Sequence, residues 1–386
     1  MWQRSLAVLL LLLLLLPTVV CAQPTAVEPA FAATLDEALR EASTGVPGVA
    51  VAVVYQEHVW LGAEGLADIG ENIPMTTDTP FYIGSMSKTM TAVVALKLSE
   101  RGVVDLRAAI THYLPTWHMP DADMTLHHLL THSSGLSRGG GFDYWFTARF
   151  PSAQELRRGV ANATLVHPLG ERWSYSNIGY ALVGQVLRAA SGVRFADLVE
   201  RELLTPLHMD QSGFGRPAGL AMGYAPDGGE RIRRGSRSFA GHGRRVGSRR
   251  ERIYHGANAM RPAFGIHSTA RDMARYLHAL LADDSADDAA DAAVLSNAVR
   301  RDLFTLQVPF ERDPQSGWTH GLRRKQDDQG EYFRHSGWYA AHRSELWLRP
   351  SWGLGIVVLT NTDDGNPNAI ARALAAVVPA PAANER

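Results

Sequence analysis

Between residues 46 and 61 the chain passes from a turn to an apolar run and back. Val46-Pro47-Gly48 signals the turn, and Val49-Ala50-Val51-Ala52-Val53-Val54 is a largely β-branched run that reads as a buried strand. Val59 to Leu61 is placed to pair with it as a hairpin. Upstream, Thr34 followed by Glu37 has the spacing of a capping box and predicts a helix ending near Gly45. Downstream, helical spacing runs from Ser85 to about Arg101, where Gly102 stops it.

The middle of the chain keeps the helical period. Leu126 to Thr131, Ser152 to Val160, Asn177 to Ala190 and Phe195 to Leu204 all carry it, and Ser152 with Glu155 makes a second capping box. Strand signals return late, at Ser344 to Leu348 and Leu354 to Thr360, around a turn at Ser351-Trp352-Gly353. A last helix has Asn366 as its cap and Pro367 at its first position. Both ends thus supply strands and helices while the centre is helical. The pattern predicts one sheet assembled from about 30–100 and 255–378, with a helical part, about 101–254, inserted between them. The Gly/Arg-rich stretch 228–252 and the Asp-rich stretch 283–291 read as solvated, mobile insertions rather than binding loops. There is no internal repeat.

The first residues change the picture of where the protein works. Met1-Trp2-Gln3-Arg4, eight leucines from Leu9 to Leu16 and then Pro17 have the layout of a secretory signal. The apolar stretch Ser5 to Val20 falls short of the ~20 residues a membrane span needs. Val20-Cys21-Ala22 suits cleavage after Ala22, so residues 1–22 are expected to be a signal peptide and the protein secreted or periplasmic, with no stable membrane span. The rival reading is a lipoprotein anchored through Cys21, for which Val20 is a poor neighbour. Removing 22 of 386 residues leaves 364 and no cysteine, so export brings no disulfide and stability must come from burial. That length suggests two domains. Lys and Arg number 38 against 39 Asp and Glu, so nothing points to a nucleic-acid partner.

Three short segments can carry chemistry. In Ser85-Met86-Ser87-Lys88 the hydroxyl and the amine lie three apart, on one face of a helix. A serine hydroxyl is a weak nucleophile that needs a neighbouring base, and a buried lysine can serve once desolvation depresses its pKa. The start of the helix adds N–H groups that favour developing negative charge. Tyr175-Ser176-Asn177 offers a phenol to shuttle a proton and an amide to hold Lys88 or the substrate. His335-Ser336-Gly337 precedes an apolar strand; a glycine there would let a substrate backbone approach, and the N–H of Trp338 could join that of Ser85 as an oxyanion hole.

Taken together and in this order, these segments resemble the penicillin-recognising serine hydrolases, in particular the class C β-lactamase and DD-peptidase branch with its Tyr-x-Asn. Gly45 to Val49, Leu126 to Leu136, Ser268 to Ala274 and Gly353 to Asn361 are similar to segments of the same family, so the resemblance spans roughly 30–378. It implies an α+β fold, an antiparallel sheet flanked by helices with an inserted all-helical domain. It also implies an acyl-enzyme on Ser85, proton transfer by Lys88 and Tyr175, and substrate binding by Asn177, His335, Ser336, Gly337 and Trp338. The substrate would be a small molecule or peptide, and no cofactor or metal is implied.

The sequence departs from the family at His335, where many members carry lysine. A neutral imidazole anchors a substrate carboxylate less well than an ammonium, which favours esters or D-amino peptides over β-lactams. Arg343 is a candidate for the missing charge. A non-catalytic ligand-binding relative is the alternative of another class, although Ser85, Lys88, Tyr175 and Asn177 are all present. His128 and His132, four apart beside His127, have metal-ligand spacing on a helix but lack an H-E-x-x-H or comparable set, so capping or core packing is their expected role.

Overall fold

The computed structural model describes residues 25–139, 150–226, 242–246, 249–252, 256–282 and 294–381. The expected signal peptide, the Asp-rich stretch 283–291 and residues 140–149 lie outside them. β2 (Gly48–Tyr55) and β3 (His58–Asp68) form the expected hairpin, turning at Gln56 with φ +55°. β16 (Leu354–Thr360) pairs antiparallel with β2, Val357 facing Ala52. Outward from it run β15 (His342–Arg349), β14 (Gly330–Tyr339), β13 (Arg323–Asp327), β12 (Asp313–Trp318) and β11 (Val308–Phe310), all antiparallel. β1 (Thr25–Ala26) lies parallel to β3, and β4 (Ile73–Pro74) also pairs with β3, which gives this one sheet ten strands among the described residues. The two halves of the chain therefore meet in one sheet at the β2–β16 pair.

Alternation along β2 sorts its side chains into two cores. Val49, Val51 and Val53 face α1 (Pro29–Ala42) and α10 (Pro367–Val377), through Leu35, Leu39, Ile370 and Leu374. Ala50, Ala52 and Val54 join the other core, with α2 (Ser87–Glu100) and α8 (Ala270–Leu281). That core also receives α3 (Leu126–Leu130), α4 (Ala153–Ala161), α5 (Asn177–Ser191), α6 (Phe195–Val199) and α9 (Asn297–Phe304). α2 is buried on every side, Ser87 to Ala95 without a break, as befits a helix threaded through the middle of the protein. Each large apolar side chain sealed in this way contributes about 1.5–3 kcal/mol.

Several local expectations change. α1 begins at Pro29, not Thr34; Thr34 lies inside the helix and its hydroxyl donates to the Ala30 carbonyl at 3.1 Å. The Ser152–Glu155 box and the Asn366 cap form as expected. His335-Ser336-Gly337 lies within a strand, β14, rather than before one. Part of the Gly/Arg-rich stretch is ordered: β9 (Arg249–Arg252) pairs antiparallel with both β7 (Gly223–Pro226) and β8 (His242–Val246). Backbone pairing can proceed without apolar side chains when a neighbouring strand supplies the template.

Candidate active site

Ser85 is set by the backbone before it. β5 (Phe81–Tyr82) pairs with β10 (Ile266–Ser268), the Ile83 N–H donates to the Ile266 carbonyl at 3.1 Å, and the Ser344 hydroxyl donates to the Ile83 carbonyl at 2.7 Å. The Tyr82 N–H donates to His342 Nδ1 at 3.0 Å, so the proton of that ring sits on Nε2 and is given to the Ala221 carbonyl at 2.9 Å. Gly84 has φ +54°, and a Cβ on it would meet the Trp338 nitrogen at 2.5 Å. The turn before Ser85 is thus pressed against β14. Ser85 itself lies in a 3-10 turn, Gly84–Met86, with α2 starting at Ser87. It is half-exposed, whereas Lys88 behind it is fully buried.

The Lys88 amine has three directed neighbours. It donates to Asn177 Oδ1 at 2.9 Å and to the Ala263 carbonyl at 2.6 Å, on α7 (Arg261–Phe264), and it lies 3.3 Å from Ser85 Oγ. None of the three is a carboxylate. Burial drives the amine well below the usual lysine range, and the Arg138 guanidinium pushes the same way. Two N–H groups taken by two carbonyl oxygens leave the lone pair of a neutral amine for the third direction, towards the serine proton.

Asn177 and Tyr175 reach the same point from the start of α5. Ser176 is the cap, its hydroxyl accepting from the Gly179 N–H at 3.0 Å and donating to the Ser137 carbonyl at 3.0 Å. The Asn177 N–H donates to the Arg138 carbonyl at 3.0 Å. The Tyr175 ring centroid lies 4.9 Å from Lys88 Nζ and 5.1 Å from the Arg138 guanidinium. Tyr180, one turn into α5, lies 5.4 Å below the amine and anchors its hydroxyl on the Leu130 carbonyl at 2.9 Å.

His335 points to the same side, packing on Trp318 at 5.5 Å between centroids. Its Nδ1–H donates to the Ser336 carbonyl at 2.8 Å, which leaves Nε2 as a buried lone pair without a partner among the described residues. Burial, with Lys88 nearby, lowers its pKa to about 3, so the ring is neutral at neutral pH. Ser336 faces away, its hydroxyl accepting from Arg334 at 3.1 Å, while Arg334 also pairs with the buried Glu345 at 2.7 Å. The space a Cβ on Gly337 would take is filled by the Ile83 carbonyl oxygen and the Ser344 hydroxyl. That glycine accommodates the protein's own backbone, not a substrate's. Arg343 stands opposite Trp338 in the β14–β15 register. The Trp338 indole donates to Asp363 at 2.6 Å.

The sequence reading passed over Tyr180, Arg138, the Ala263 carbonyl and His132, all of which surround Lys88 or Tyr175. Of these only His132 had drawn notice, for its spacing from His128, with capping or core packing as the expected role; its ring accepts a backbone hydrogen bond, and His128 caps α3 in a capping box with Thr125. Gly135-Leu136-Ser137-Arg138-Gly139 has the Gly-x-Ser-x-Gly spacing of a nucleophile elbow, yet it lies in the loop after α3 and not between a strand and a helix. Beyond Trp173 a cleft of about 860 Å³ opens, lined by Arg172, Phe310, Arg312, Arg323 and Lys325.

A family described as Beta-lactamase matches residues 31–379. Esterase EstB of Burkholderia gladioli is 30% identical over 359 residues, covering 86% of this chain and 89% of that one. A beta-lactamase of Escherichia coli (strain K12) is 28% identical over 238 residues, 61% of this chain and 57% of that one. Among solved structures, the D-amino acid amidase of Ochrobactrum anthropi SV3 matches with a TM-score of 0.76 over 90% of this chain and 98% of that one; at 22% identity this is a likeness of fold. With the family match spanning nearly the whole chain, this protein belongs to the beta-lactamase family and is a serine hydrolase.

Proposed function

We propose that the protein forms an acyl-enzyme on Ser85 and hydrolyses esters or D-amino peptide bonds. The observation that carries this reading is the buried Lys88 amine, 3.3 Å from a half-exposed serine hydroxyl and held by neutral carbonyl oxygens. Lys88 takes the Ser85 proton as Oγ bonds to the substrate's acyl carbon. The carbonyl π electrons move to oxygen, where the N–H groups of Ser85 and Trp338 receive the charge. Tyr175, stacked beside Lys88, passes the proton to the departing alcohol or amine, and water then releases the acyl group by the reverse sequence.

The preference among substrates rests on His335. A ring whose pKa is lowered to about 3 gives no cation at neutral pH where an ammonium would hold a β-lactam carboxylate. The similarity to an esterase over most of both chains favours the same side. Export, expected from residues 1–22, is part of this proposal and is checked by N-terminal sequencing of protein recovered from a secreting host. A p-nitrophenyl butyrate, a chromogenic cephalosporin and a D-Ala-D-Ala peptide, assayed side by side, test the chemistry. The ester or the peptide should give the highest kcat/KM; the cephalosporin leading by tenfold or more would reverse the preference.

A further inference from the structure

His132 is fully buried, and its backbone has φ +58°, a left-handed conformation that only a few residue types besides glycine adopt without strain. The Ser176 N–H donates to its Nδ1 at 3.1 Å. An N–H can point only at a lone pair, so the ring proton must be on Nε2. The ring then lies 4.4 Å from the Tyr175 ring, tilted 37°, with Tyr180 and Trp318 each 5.0 Å away. In sequence His132 stands 44 residues before Ser176. In space its ring lies on Tyr175 and its hydrogen bond reaches Ser176, the residue between Tyr175 and Asn177. The His132 carbonyl closes the arrangement, accepting from the Ser174 N–H at 2.7 Å.

We propose that His132 is a positioning residue that sets Tyr175 and Asn177 against Lys88 by holding the Ser176 N–H with Nδ1 and the Tyr175 ring with its face. This deepens the function proposed above and rests on it. Without the acceptor, the Ser176 N–H, which sits among buried groups, has to turn for another partner. Any such turn moves the phenol on one side and the amide on the other, together. His132 does not act as a base: its Nδ1 lone pair is occupied by a backbone N–H, and its Nε2 carries the proton. Its contribution is geometric, and displacements near 1 Å in a catalytic constellation cost on the order of 10²-fold in rate.

His132→Asn and His132→Ala separate this role from general packing. Asparagine tolerates the left-handed backbone and puts an acceptor oxygen close to where Nδ1 lies; alanine does neither. The readouts are the rate of Ser85 modification by a fluorophosphonate, kcat and KM on the best ester, and the thermal midpoint of each protein. The Ala variant should lose about 10²-fold in kcat and in labelling rate with KM within a few-fold, and the Asn variant should recover at least tenfold of that loss. Equal rates for Asn and Ala, or an Ala variant as fast as wild type, would overturn the inference. Should neither variant fold, long-range ¹⁵N–¹H correlation on the wild-type ring decides: a proton on Nε2 supports the inference and one on Nδ1 ends it. Failure of the wild type to label at Ser85 would overturn the proposed function itself, whereas labelled wild type with indifferent variants would overturn the positioning role alone.

Discussion

The Lys88 amine and the Asn177 side-chain oxygen, 89 residues apart in sequence, meet at 2.9 Å inside the protein. This contact ties the helix that follows Ser85 to the helix that begins after Tyr175. Because the oxygen is an amide and not a carboxylate, it orients the amine without adding a charge that would keep it protonated.

Asn177→Asp inverts that property. A carboxylate at 2.9 Å stabilises the ammonium and raises the Lys88 pKa, by about 1–3 units for a close opposite charge. A base works only when deprotonated, so the acidic limb of the kcat/KM profile should move up in pH by about that amount. An unmoved limb would mean that Lys88 is not the titrating base. Lys88→Ala should lower kcat by about 10³-fold or more, consistent with a missing general base in a buried site.

Gly337→Ala tests the docking of the Ser85 turn. The new methyl collides with the Ile83 carbonyl and the Ser344 hydroxyl, so the backbone two residues before Ser85 must shift. A loss of about 10²-fold in acylation is expected along with a drop of a few kcal/mol in stability. Gly102→Ala is the control: its φ is +69° and nothing lies within 4 Å of its Cβ position. It should cost about 1–2 kcal/mol in strain and leave acylation untouched.

His335→Gln tests the neutral, buried ring. The folded pKa of His335 is lowered to about 3 from 6.5, so between those values the unfolded chain binds a proton that the folded protein refuses. Stability is therefore fully present above about pH 6.5 and falls as the pH drops towards 3, by about 1.4 kcal/mol per unit for this one group. His127, His267 and His342, each lowered to about 4 mainly by burial, add slopes of the same sign. Urea unfolding at pH 7 and pH 5 should show a smaller difference for the Gln variant than for wild type. Identical differences would mean that His335 is not buried neutral.

His335→Lys should shift selectivity towards carboxylate-bearing substrates. An ammonium here adds the charge that the imidazole lacks, and the ratio of cephalosporin to ester kcat/KM should rise at least tenfold. No change in the ratio would separate substrate preference from this position.

Much of this site was legible because its chemistry is local in sequence. Ser85 and Lys88 lie three apart and Tyr175 and Asn177 flank a capping serine; neither spacing is decisive by itself, and the order of these segments with His335-Ser336-Gly337 carries the resemblance. The strands β11 to β14 were not legible. β11, β12 and β13 are short, three, six and five residues, and β14 joins β15 through Ala340 and Ala341, at φ +52° and +60°, where an Asn-Gly or a glycine would have announced the hairpin. Gly337 was read as room for a substrate because sequence shows a missing side chain without showing what fills the space. The part His132 plays was hidden for the same reason: spacing gives its neighbours along the chain, and the residues it packs against lie 43 and 44 positions on.

The central claim is that the nucleophile is Ser85. Intact-mass analysis after a fluorophosphonate, run on wild type, Ser85→Ala and Ser137→Ala, tests it most directly, since Ser137 is the serine of the Gly-x-Ser-x-Gly sequence. One adduct on wild type and on Ser137→Ala, and none on a folded Ser85→Ala, is the expected result. An adduct that persists on Ser85→Ala, or disappears with Ser137→Ala, would contradict it.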